Sequence, residues 1–359
     1  MRYSSKTIKT LFLSLMLTSF VNVNAGNEDR AGSAGATELL INPWTRSAGW
    51  ADAAVSSITG LEAIFTNVAG LAYADKTELS FARTNWLGNI TGIGLNSAGL
   101  AQRVGETSVI GISVVSMNFG DIPITTTELP EGGIGNFSPR AMNFNLAFAK
   151  RFSPSISGGL NLKVVSNSIS NVSAQGVAID AGIRYVTGEN DHIKFAISLK
   201  NVGPPMEFSG DGLSIDILNP ATHNNPLLMA SQQRVSSFEL PSQLHIGASY
   251  DFLFNESNTL TIATTFTSNS FSKDQWRFGG QYVLKSSKAH FILRGGLVYE
   301  KDLFNADLVT TALTGPTGGF TVDFPLGQNG STLGLDYAYR PSSLGGIHTV
   351  GGRINLGSK

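Results

Sequence analysis

Side chains alternate between apolar and small or polar, with a period of two, in segment after segment from about Lys76 onward. Few folds accept such a chain. In Gln243–Phe252 the residues Leu244, Ile246, Ala248, Tyr250 and Phe252 fall on one face, and Gln243, His245, Gly247, Ser249 and Asp251 on the other. Met142–Phe148, Ile193–Lys200 and Leu333–Arg340 repeat the pattern. Alternation over such lengths is the mark of strands with one oily face. About fourteen such segments are predicted, near 77–87, 90–103, 107–118, 140–152, 156–170, 176–187, 192–202, 242–254, 258–271, 274–285, 289–301, 318–326, 331–341 and 346–357. An even number suits a closed bacterial barrel. Every second connection is short and polar, as in "VGET", "GENDH" and "NESN", whereas the long ones, Phe119–Arg140, Pro204–Pro241 and Asp302–Gly318, fall at the opposite end. A sandwich gives no reason for that asymmetry. A transmembrane barrel does, with tight turns on the periplasmic side and long loops outside. Trp86, Trp276, Tyr299 and Tyr339 at the loop end, and Phe152, Tyr185 and Phe254 at the turn end, are expected to form interfacial girdles.

Composition agrees. Charged residues make up 14% of the 359, against about 25% in an ordinary soluble domain. Mean hydropathy is only +0.06, which argues against a bundle of membrane helices. The net charge of −1 gives no electrostatic case for nucleic acid. No cysteine is present, which removes disulfides, cysteine–metal sites and thiol nucleophiles. Arg2, Lys6 and Lys9, the apolar run Leu11–Val21 and the small-residue site at Val23–Ala25 have the form of a secretory signal peptide, with cleavage expected after Ala25. The expected organisation is therefore a signal peptide at 1–25, a separate segment at 26–75 and a barrel at 76–359, placed in the cell outer membrane against its lipid.

The segment 26–75 does not alternate. "GLEAIFTNVAGLAY" is apolar, yet rich in Gly and Ala. Fourteen strands enclose a lumen that strand side chains alone do not fill. A segment entering from the turn end fits there as a plug, and its small residues allow close approach to strand backbones. The alternative is a disordered tail, which Ile58, Leu61, Ile64, Phe65, Val68 and Leu71 make too apolar. Arg46, Asp52 and Glu62 are expected to pair with charges on the lumen wall, among them Asp180, Arg184, Lys194, Lys200, Asp251, Arg277, Arg294, Asp336 and Arg340.

Asn67-Val68-Ala69-Gly70-Leu71 resembles the Asn-Pro-Ala-Gly-Leu motif that ends the N-terminal hatch of FadL-type barrels, with Val in place of Pro. The stretches Gly32–Tyr73, Ile124–Pro139, Gly176–Tyr185 and Leu199–Met206 resemble the PorV/PorQ family of Bacteroidetes outer-membrane proteins, which shares that fold. The resemblance implies a fourteen-stranded antiparallel barrel with an N-terminal plug. It assigns Asn42, Pro43, Asn67 and Gly70 to that plug. It also implies a place in type IX secretion, with secreted cargo or secretion components as partners at the extracellular loops.

The loops hold the candidate partner contacts, Leu227, Leu228 and Met229 in the second and Pro130 and Phe137 in the first. The Leu–Leu–Met patch either docks another chain or folds back to cap the lumen. No phosphate-binding loop, metal-ligand spacing or nucleophile elbow is found, so no cofactor, metal or catalytic residue is assigned and no enzyme is expected. A lipid-acting Ser–His–acid set around His245 or His348 is the enzymatic alternative. A FadL-like transporter of hydrophobic small molecules is the other reading.

Overall fold

A computed structural model describes residues 26–88, 92–218, 228–305, 309, 311–327, 330–342 and 345–357. The signal-peptide region at 1–25 and Leu227 lie outside them.

Fourteen strands form the wall: β1 Thr77–Asn85, β2 Gly94–Arg103, β3 Ser108–Asn118, β4 Arg140–Arg151, β5 Ile156–Ile169, β6 Val172–Thr187, β7 Ile193–Val202, β8 Gln243–Asn255, β9 Asn258–Asn269, β10 Gln275–Lys285, β11 His290–Glu300, β12 Gly315–Leu326, β13 Ser331–Arg340 and β14 Ile347–Leu356. Each pairs antiparallel with its sequence neighbour, and β1 pairs with β14 from Thr77↔Leu356 to Asn85↔His348. The sheet therefore closes on itself and leaves no edge, which in hydrocarbon satisfies every backbone group of the wall. The phase of alternation is the one read from the sequence. Ile246 is 48% exposed on the lipid-facing surface, whereas Asn145 points inward and is buried. Phe152, Tyr185 and Phe254 are exposed at the turn end, and Tyr299 and Tyr339 at the loop end.

Two irregularities interrupt the wall among the described residues, a register shift at Leu253–Asn255 of β8 and a bulge between β6 and β7. Ile179 pairs with Val202 and Ala181 with Leu199, so Lys200 and Asn201 of β7 together face Asp180 of β6. Asn201 sits in the left-handed region at φ 58°, where Asn is better tolerated than most residues. Its amide donates to Asp180 Oδ1 at 2.8 Å, and its Nδ2 reaches the Pro241 carbonyl at 3.0 Å. Lys163 Nζ closes the group on Asp180 Oδ2 at 2.8 Å. The bulge bends the strand, and Phe208–Ser209 then continues the pairing along β6.

From Ala36 onward the chain preceding β1 is largely buried inside the barrel as irregular backbone and single helical turns, Thr45–Ala48 and Ala63–Thr66 among them. Trp44, Trp50, Leu61, Val68 and Leu71 are buried there. Such backbone needs partners for its carbonyls, and inward hydroxyls of the wall supply them. Ser97 donates to the Pro43 carbonyl at 3.2 Å, Thr265 to Ala53 at 2.9 Å and Thr317 to Gly49 at 3.3 Å. Close approach is settled by glycine. A Cβ on Gly296 would stand 2.6 Å from the Trp50 carbonyl carbon, and one on Gly279 would stand 2.7 Å from the Trp50 oxygen.

Candidate functional site

Among the described residues, two larger spaces flank the inner segment, one toward each end of the barrel. The loop-end cavity has a volume of about 480 Å³, within the range of small-molecule sites. Its apolar side is built by Ile41 of the inner segment together with Trp86, Ile93, Met117, Phe119 and Leu313, all at the loop ends of strands or just beyond. Its polar side is largely self-satisfied. Gln243 Nε2 donates to Asn269 Oδ1 at 2.7 Å, Arg277 Nη2 to Gln275 Oε1 at 3.0 Å and Gln275 Nε2 to Glu300 Oε2 at 2.9 Å. Two buried atoms of this side, Glu38 Oε1 and Arg277 Nε, have no hydrogen-bond partner among the described residues. Glu38 lines the same cavity, and burial pushes its carboxyl above the usual carboxylate range.

A narrow pocket of about 30 Å³ shares Trp86 and Leu313 with this cavity and reaches down to Asp52 and Arg340. There a charged layer separates the two ends. Asp52 Oδ2 stands 3.2 Å from Arg277 Nη1 and 4.0 Å from Arg340 Nη2, and Asn42 Nδ2 donates to its other oxygen. Arg46 Nε pairs with Glu62 at 3.2 Å inside the segment, while its Nη2 reaches Glu78 of β1 at 3.7 Å. Two backbone amides, of Arg46 at 3.3 Å and Ser47 at 3.1 Å, also donate to Glu62. Arg46 and Asp52 thus pair with the wall as expected. Glu62 instead bonds within its own segment. Below this layer lies the turn-end cavity of about 330 Å³, with a strongly polar lining.

Of the four inner-segment positions named from the resemblance, Pro43 and Asn67 bond the wall, whereas Asn42 and Gly70 bond within their own segment. Asn42 is bonded to Asp52, Ser47 and the Trp44 amide, the last two at 2.8 Å. Pro43 accepts from Ser97. Asn67 Nδ2 donates to the carbonyls of Val55 at 3.0 Å and Ile183 of β6 at 3.3 Å, and its Oδ1 caps the Ala69 amide at 3.1 Å. Gly70 is buried, with its amide on the Asn67 carbonyl at 2.9 Å.

The loop positions fall in two separate small pairings. Pro130 is exposed and Phe137 is half-buried in the small pairing Ile122–Pro123 with Asn136–Phe137. Leu228 and Met229 belong to a hairpin, Ser214–Leu218 with Leu228–Gln232, and are 67% and 42% exposed.

Trp86 departs from the girdle expected of it, because it packs inward with Ile41, Leu95 and Met117. His245 is buried with Nδ1 2.8 Å from the Thr267 hydroxyl, and His348 bonds the Tyr337 hydroxyl at 2.8 Å. The hydroxyl partner of each is a threonine or a tyrosine rather than a serine.

No protein-family model matches the sequence, and no curated protein matches it. Solved structures do match. A structure of CymD, a monoaromatic hydrocarbon channel, superposes with a TM-score of 0.52 at 11% identity, covering 91% of this chain and 97% of that one. The Pseudomonas putida toluene transporter TodX gives 0.52 at 10% identity, covering 84% and 94%. A second TodX structure gives 0.51 at 12% identity, covering 92% and 96%. Identities this low establish a shared fold: a closed fourteen-stranded antiparallel barrel of the outer-membrane kind.

Proposed function

We propose that this barrel admits a small hydrophobic molecule through the loop-end cavity, with the inner segment as the plug that narrows the path behind it. The observation that carries the reading is the cavity itself. It has an apolar side from five separated parts of the chain, and most of its polar side is bonded internally, so a ligand without hydrogen-bonding groups leaves few groups unsatisfied. The fold shared with a toluene transporter and a monoaromatic hydrocarbon channel supports the same substrate class. It favours transport over the secretion role that the PorV/PorQ resemblance implies, and it agrees with a protein that is not an enzyme.

The test is binding. Purified barrel titrated with toluene should show a saturable change in tryptophan fluorescence, because Trp86 lines the cavity. Leu313→Trp fills the space and should abolish that change while leaving the heat-modifiable gel mobility of a folded barrel. Absence of saturable binding to the wild-type protein would remove the reading.

A second reading, docking of a protein chain at the loops, is supported by the hairpin that carries Ile215, Leu218, Leu228 and Met229 as exposed apolar side chains. Cargo or components of type IX secretion are the partners this reading would take.

A further inference from the structure

The turn-end cavity is polar, and passage of an apolar molecule makes no use of that polarity. We propose that it is a binding site for a small oxyanion, a carboxylate or phosphate group held against Arg294. Five cations line it, Arg46, Lys194, Lys285, Arg294 and Arg353, against two carboxylates, Asp251 and Asp323. Both carboxylates are already engaged. Lys194 pairs with Asp251, and Arg353 Nη2 stands 2.7 Å from Asp323 Oδ1. Arg46 is held by Glu62 and Glu78. Arg294 and Lys285 remain, neither of them in an ion pair among the described residues.

Arg294 is the informative one. It is only 9% exposed, and its two hydrogen bonds go to neutral oxygens: Nε to Gln281 Oε1 at 2.8 Å and Nη1 to Thr321 Oγ1 at 2.6 Å. Asp336, which takes a hydrogen bond from the Thr321 hydroxyl, and Glu62 lie within electrostatic reach, but neither forms an ion pair with Arg294 among the described residues. A guanidinium has five N–H donors and costs several kcal/mol to bury without a counter-charge. A planar, two-oxygen anion is the partner that its fork geometry fits. The volume of about 330 Å³ admits such a group with its waters. Lys285, exposed at the turn end of β10, adds an attractive field at the mouth. A free anion and the head group of an amphipath that has crossed the barrel present the same chemistry. The proposal does not depend on what the loop-end cavity takes.

Calorimetric titration of the full barrel in detergent, at ionic strength fixed with sodium chloride, tests it with sodium phosphate, sodium acetate and sodium decanoate. Saturable binding is expected. Arg294→Gln should weaken it by about tenfold or more, the size of one lost charge-assisted hydrogen bond. Arg83→Gln, on the exposed outer face, should leave it unchanged. Decanoate binding well above acetate supports the head group of an amphipath, and equal binding supports a free anion. Heats that do not saturate, or identical isotherms for wild type and Arg294→Gln, overturn the site. Should Arg294→Gln fail to fold, the wild-type protein decides alone. Phosphate binding that sodium acetate displaces but an equal increment of sodium chloride does not supports the site, and equal displacement by the two salts overturns it.

Discussion

Asp52 shows how single residues hold the inner segment. It lies between Arg277 of β10 and Arg340 of β13 and takes a further bond from Asn42. Replacing it by Asn leaves two buried guanidinium groups without their shared counter-charge. Removing one partner of a buried pair costs about 3–5 kcal/mol. Asp52→Asn should therefore speed amide hydrogen exchange across residues 44–56, while the amides of β1 to β14 stay protected. Exchange as slow as in the wild type would show that packing of Trp44 and Trp50 holds the segment without the charges. This pairing was partly legible beforehand, since inward phase placed Arg277 and Arg340 on the lumen wall. The destination of Glu62 was not legible. Its partners, the Arg46 guanidinium and two backbone amides, arise from one tight helical turn that no periodicity announces.

At the scale of the strand, alternation specifies almost everything, because a slip of one residue would turn an entire apolar face into the lumen. This is why all fourteen strands, their order and their facing could be read from the sequence. It is also why Phe144 and Ile246 emerge on the outer surface and Asn145 on the inner one. An arginine at a lipid-facing midplane position costs about 2–4 kcal/mol. Ile246→Arg should lower the temperature at which the barrel loses its heat-modifiable mobility, and Asn145→Arg should lower it far less. Equal losses would contradict the assignment of faces. The rule fails where alternation stops. Trp86 follows the last residue of β1, so phase says nothing about it, and it turns inward to the cavity rather than outward to the membrane interface. The β6–β7 bulge was equally hidden, because Lys200 and Asn201 read as two ordinary strand positions until Asp180 is seen opposite both.

For the whole molecule, the inner segment makes two unlike compartments out of one lumen. The loop-end cavity is assembled from the inner segment, the ends of β1 to β3 and the connection before β12, parts that only barrel closure brings together. No local pattern could have marked it, whereas the need to fill a fourteen-stranded lumen could be foreseen. The charged layer of Asp52, Arg277 and Arg340 stands between that cavity and the turn-end space, so any passage must run beside the inner segment. The most direct measurement is transfer of radiolabelled toluene into liposomes, set against empty liposomes to subtract its own permeation through lipid. The account predicts faster transfer with wild-type barrel and a return to the empty-liposome rate with Leu313→Trp. Equal rates for wild-type, variant and empty liposomes would contradict it.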